Sequence, residues 1–109
     1  MSDLSQKKCV ACEGGMAPFN RDEASVLMKQ LSGWTLSGDA RWISKELRFK
    51  DFKETMAFTN KIADIAEDEG HHPDMQVSYG KLVVELTTHA IKGLSQNDFI
   101  IAAKIDELK

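Results

Sequence analysis

Apolar residues along this chain recur at two spacings, one suited to a helix face and the other to a strand face. Between residues 20 and 33, Val26, Leu27 and Leu31 make a stripe at helical spacing. Asn20 opens it as an N-cap, Asp22 and Glu23 put negative charge where the helix dipole favours it, and Gly33 stops it. Trp34-Thr35-Leu36, a Ser37-Gly38-Asp39 turn and the roughly alternating run from Arg41 to Phe49 predict two short strands joined as a hairpin. The longest helical pattern covers residues 51–69. There Phe52, Met56, Thr59, Ala63 and Ala66 recur every three or four positions, as do Phe58, Ile62 and Ile65, giving an apolar face wide enough to lie across a sheet. Gly70 and Pro73 end that helix. Met75 to Tyr79 and Leu82 to His89 predict a second hairpin about Gly80-Lys81. Leu82, Val84 and Leu86 face one way, and Val83, Glu85, Thr87 and His89 the other. A last helix begins at a Ser95 cap and carries Phe99, Ile101, Ile105 and Leu108, with Asp98 at the capping-box position.

The order helix, hairpin, helix, hairpin, helix predicts an α+β fold, because hairpins build antiparallel sheets and no strand-helix-strand alternation of the parallel kind is present. We expect a single domain over residues 19–109, with a four-stranded antiparallel sheet and about three helices on one face, preceded by a flexible tail at 1–18. The 109 residues suffice for one hydrophobic core and are too few for two. A net charge of -3 argues against direct nucleic-acid binding, which needs a surplus of basic groups. No apolar run approaches membrane-spanning length, and Met1 to Lys8 lacks the apolar stretch of a signal peptide, so a cytoplasmic location is the expectation. Cys9 and Cys12 form one Cys-x-x-Cys with no second pair and no nearby histidine, which reads as a reduced pair in the tail more readily than as a metal or redox site.

Candidate chemistry gathers on histidine. All three histidines, His71, His72 and His89, fall within nineteen residues. Glu67 stands four residues before His71 and can reach its ring if the last helical turn persists. A carboxylate beside an imidazole fixes the orientation of a group that can give or take a proton near neutral pH. The residues alone leave three readings open: a general acid-base site, idle surface histidines, and a zinc site of three His and one Glu. The adjacency of His71 and His72 weighs against zinc, since neighbouring side chains diverge.

Several separate pieces then agree. The run Glu67-Asp68-Glu69-Gly70-His71-His72-Pro73, Tyr79, Thr87-Thr88-His89, Gly93-Leu94-Ser95 and Asp98 resembles the pterin-4a-carbinolamine dehydratase family in order and spacing from about Gly33 to the end. The chain differs from the usual pattern in having Met75 where Trp is common, which implies either that the aromatic role passes to Tyr79 or that pterin stacking is weaker. It also has Gly70 where Asp is common, which leaves only a backbone contact there. The resemblance implies dehydration of a 4a-hydroxytetrahydropterin, with no metal or other cofactor required. It further implies a catalytic set of His71, His72, His89 and Glu67. Within that set His72 is the principal acid toward the hydroxyl, Glu67 orients His71, and Asp98 either caps its helix or holds His89. Gly70, Thr87, Thr88 and Asp98 join the histidines in holding the substrate. The implied partners are the small pterin, functionally an aromatic amino acid hydroxylase, and further copies of the chain in a dimer or a pair of dimers. The alternative the resemblance carries is a protein-binding role, as in the mammalian member that is a dimerisation cofactor for a homeodomain transcription factor.

Overall fold

Asp51 accepts a hydrogen bond from the Glu54 N–H at 2.8 Å and so opens the longest helix, α2 (Phe52–Glu69). Gly70, at φ 67°, closes it in the left-handed conformation that a residue with a side chain adopts only at a cost. The computed structural model describes residues 3–10 and 17–108. Within them lie α1 (Arg21–Met28), β1 (Thr35–Leu36), β2 (Ile43–Arg48), α2, β3 (Asp74–Val77), β4 (Lys81–Leu86) and α3 (Gln96–Asp106), with 3-10 turns at Asp3–Gln6 and His89–Ile91. The strands form one antiparallel sheet in the order β1-β2-β4-β3. Pairing sets Ile43 opposite Leu86, Lys45 opposite Val84 and Leu47 opposite Leu82. Because side chains alternate along a strand, that register sends Leu82, Val84 and Leu86 to the buried face. The fold is therefore the α+β arrangement expected, with three helices and a four-stranded antiparallel sheet.

Several boundaries differ from the sequence reading, two of them by three residues or more. Helix α1 ends at Met28, and residues 29–31 continue as turns before Gly33, whose φ of 80° belongs to the loop into β1. Strand β4 ends at Leu86, so Thr87 and His89 lie beyond the sheet and His89 sits in the 3-10 turn. Among the helices, Thr55, Thr59, Ile62 and Ala66 form the buried stripe of α2, while Phe52 is about half exposed. No helix among the described residues is long and apolar enough to cross a membrane.

Part of the expected tail, from Leu4 on, is held against the rest of the fold. Leu4 is fully buried in the core. The Ser5 hydroxyl donates to Glu107 at 2.9 Å, and Lys104 donates to the Ser5 carbonyl at 3.0 Å. The cause lies in α3, where Phe99, Ile100, Ile101, Ala102 and Ala103 are all buried. A helix that is apolar on every side needs cover on every side, and the N-terminal turn supplies it. The Cys9 backbone N–H donates to Glu69 and its thiol to the Asn97 carbonyl at 3.7 Å; Cys12, and with it the Cys-x-x-Cys pair, lies outside the described residues.

Glu69 anchors this segment. Its side chain is only 5% exposed and accepts the Cys9 N–H at 2.8 Å, with Lys104 and Lys8 nearby at 3.6 and 3.9 Å. The Cys9 hydrogen bond, followed by the two lysine charges, holds the carboxyl below its ordinary 4.5. A depressed folded value contributes stability above the unfolded value that is lost as pH falls through the folded one. Glu69→Gln is therefore expected to lower stability by about 1–2 kcal/mol at pH 7. The gap between variant and wild type should close as pH drops below 4.5, which urea unfolding at pH 7, 5 and 3.5 would measure. A gap independent of pH would assign the loss to packing instead.

Candidate active site

One end of the sheet gathers the chemistry. The chain leaves α2 through Gly70 and passes His71 and His72 on its way to β3, while β4 runs out through Thr87 and Thr88 into the turn of His89. The N-terminus of α3 meets both. There Asp98, completely buried, collects three donors: the His71 Nε2–H on Oδ1 at 2.6 Å, and the Thr88 hydroxyl and Ser95 N–H on Oδ2 at 2.7 and 2.9 Å. Since an ionised carboxylate only accepts, this bond calls for a proton on Nε2 of His71 and turns Nδ1 away from the carboxylate. His72 makes a parallel contact nearer solvent, Nε2 to Glu67 Oε2 at 2.5 Å. The first pair is 13% and 0% exposed and the second 58% and 77%, so one imidazole is rigidly held and the other accessible. His89 is exposed, with its ring set edge-on to Trp42 at 5.9 Å between centroids.

The three histidines line one cleft of about 290 Å³, together with Val10, Gly70, Thr87, Thr88, Ala90 and Asn97. All eight residues expected at the site therefore lie in it or bond directly to a residue that does. Their pairing differs from the expectation in two places. Glu67 bonds His72, not His71, because the left-handed turn at Gly70 takes His71 off the helical path along which an i,i+4 contact would form. Asp98 bonds His71, not the expected His89, and of its two proposed uses it realises the capping of α3. The threonine hydroxyls point into the protein. That of Thr87 donates to the Arg41 carbonyl at 2.6 Å, and that of Thr88 to Asp98. The Gly70 N–H is likewise taken, by Ala66.

Tyr79 does not line the cleft; it is exposed at the β3–β4 turn, where its carbonyl accepts from Thr55. The aromatic ring set against His89 is Trp42, which periodicity assigns to a strand. Val10 and Asn97 were also not foreseen. They bond to each other twice, Val10 N–H to Asn97 Oδ1 at 3.0 Å and Asn97 Nδ2–H to the Val10 carbonyl at 2.5 Å. The N-terminal segment thus forms part of the cleft wall, a placement that no local pattern signals.

Comparison with known proteins agrees with this geometry. The family model described as pterin 4 alpha carbinolamine dehydratase matches residues 17–108. A protein of Nitrosospira multiformis, provisionally named pterin-4-alpha-carbinolamine dehydratase, is 53% identical over 99% of this chain and 94% of its own length. A protein of the same provisional name from Halorhodospira halophila is 44% identical over 96% of each chain. Among solved structures, one described as a transcriptional coactivator/pterin dehydratase from Brucella melitensis superposes with a TM-score of 0.76 at 28% identity, over 81% of this chain and 94% of that one. A pterin dehydratase-like protein identified as a RuBisCO assembly factor shares the fold, with a TM-score of 0.59 at 22% identity over 69% and 87% of the two chains.

Proposed function

The chain belongs to the pterin 4 alpha carbinolamine dehydratase family, and we propose that its three histidines carry out the dehydration by general acid-base catalysis in the recycling of tetrahydrobiopterin. The reaction breaks the C4a–O bond of a 4a-hydroxytetrahydropterin. The hydroxyl departs as water once it gains a proton, N5 loses its proton, and a C4a=N5 double bond forms in the quinonoid dihydropterin.

What carries the reading is the presence in one cleft of two imidazoles, each bonded through Nε2 to a different carboxylate. Each such bond turns the Nδ1 edge of the ring away from its carboxylate and keeps the ring from rotating. His72, the more accessible of the two, is the principal acid toward the leaving hydroxyl, and Glu67 orients it. His71, whose Nδ1 is free to accept, shares the base and positioning roles with His89. Proton transfer by a positioned side chain contributes about 10²–10⁴-fold each, so two such transfers suffice for a substantial acceleration of a reaction that already proceeds in water.

The test is to mix the purified protein with synthetic 4a-hydroxytetrahydropterin and follow quinonoid dihydropterin by absorbance, with and without a chelator. Acceleration above the spontaneous rate, unchanged by chelation, is the expected result. A rate equal to the spontaneous one would overturn the catalytic reading, and a rate lost to the chelator would overturn the metal-free one.

A further inference from the structure

Cys9 and Val10 belong to no helix or strand, so side chains from two helices take up their backbone groups. Glu69, the last residue of α2, accepts the Cys9 N–H at 2.8 Å. Asn97, in the first turn of α3, accepts the Val10 N–H at 3.0 Å and donates to the Val10 carbonyl at 2.5 Å. The Cys9 thiol adds a bond to the Asn97 carbonyl at 3.7 Å. Both gripping side chains are withdrawn from solvent: that of Glu69 is 5% exposed, and Asn97 is 4% exposed. Asn97 stands beside Asp98, and Glu69 precedes Gly70 and His71. The two helix ends that bring His71 and Asp98 together therefore also fix this segment.

What they hold in place is an apolar side chain left in the open. Val10 is 66% exposed, and it lines the cleft of the three histidines. One exposed valine is ordinary on a protein surface. A valine fastened at both its N–H and its carbonyl by a buried amide, beside that cleft, is a costly way to leave apolar area in water. The rest of the lining is imidazole, two threonines whose hydroxyls turn inward, Asn97, and the small residues Gly70 and Ala90, so Val10 is its largest purely apolar side chain. Met75 packs against the core and Tyr79 lies at the β3–β4 turn, so neither joins the lining. A pterin is a flat bicyclic ring, polar around its edge and apolar on its two faces. A site for it needs apolar surface against a face as well as polar groups at the edge.

We propose that Val10 is a substrate-packing residue, its isopropyl group covering part of one face of the pterin ring, and that Asn97 is the positioning residue that holds it there. The inference rests on the dehydratase reading of the cleft and adds to it the side chain that meets the ring face. Because the segment is fixed before the substrate arrives, binding requires no further ordering of this wall.

Steady-state kinetics with 4a-hydroxytetrahydropterin, paired with urea unfolding, test this. Val10→Ala and Val10→Thr should raise KM about three- to tenfold, with a smaller effect on kcat, since a contact to the ring face serves ground state and transition state alike. Their unfolding midpoints should match the wild type, because the side chain is exposed. Val10→Ile keeps the apolar contact and should hold KM within about twofold. Asn97→Ala releases the segment and should raise KM at least as far as Val10→Ala does. The Asn97→Ala/Val10→Ala double variant should then be no worse in KM than Asn97→Ala alone, as both changes remove one contact. Asn97→Asp, which loses the donor to the Val10 carbonyl, is a milder second variant to which the same coupling applies. Wild-type KM in both Val10→Ala and Val10→Thr would overturn the packing role and leave the dehydratase reading standing. Additive effects in the double variants would overturn Asn97 as the residue acting through Val10. A wild-type protein that does not accelerate the dehydration at all would overturn the dehydratase reading and this inference with it.

Discussion

Replacing Asp98 with alanine is expected to destabilise the protein by about 3 kcal/mol, a large share of a typical folding margin, and to remove most of its turnover. The carboxylate is completely buried and serves His71, Thr88 and Ser95 at once. Alanine strands the Ser95 N–H and the His71 Nε2–H, while Thr88 keeps its contact with the Ser95 hydroxyl. Asp98→Asn separates the two losses. The amide oxygen can still accept from Thr88 and Ser95, so urea unfolding should show a smaller cost than for alanine. The NH2 group, however, would face His71 Nε2 and force that nitrogen to accept. The ring proton then moves to Nδ1, the edge proposed to take part in the reaction, and turnover should fall about 100-fold or more. An Asn variant that kept the wild-type rate would reduce Asp98 to a helix cap.

The histidine variants should divide by burial. His72→Ala removes the proposed acid and is expected to lower turnover about 10²–10⁴-fold. Its effect on stability should be slight, because the His72–Glu67 pair is solvent-exposed and such pairs add little. His71→Ala should lower turnover comparably but also cost about 1–3 kcal/mol, since it leaves one oxygen of a buried carboxylate without its donor. His89→Ala should slow the reaction with little change in the unfolding midpoint. Initial rates and urea midpoints measured on the same preparations give the comparison. Wild-type rates in all three would move the site elsewhere.

Where a signal is local, the sequence announces the structure. The Asn20 cap, the Gly70 stop and the alternation of Leu82, Val84 and Leu86 each depend on residues within one turn or one strand, and each appears as read. The histidine cluster was legible for the same reason, as its members are close in sequence. The pairings within it were not. Whether Glu67 meets His71 or His72 depends on how a left-handed glycine redirects the chain, and the i,i+4 rule gives no guidance past the end of a helix. The Asp98–His71 bond spans 27 residues and requires α3 to be docked against the exit of α2. The burial of Leu4 was hidden too, although the unbroken run Phe99–Ile100–Ile101–Ala102–Ala103 implied that something must cover the second side of α3.

That cover also sets an order of events during synthesis. Residues 4–10 leave the ribosome early, but the partners that hold them, Asn97, Lys104 and Glu107, are made roughly 90 to 100 residues later. Until α3 emerges the segment has only Glu69 of α2 to hold it, and closing so long a loop is slow compared with forming the hairpins. Residues 4–10 thus settle only after partners made much later, and His71 gains its carboxylate at the same step. A nascent or truncated chain lacking α3 should be inactive however much of its sheet has formed. Catalytic competence arrives at once, with the final helix.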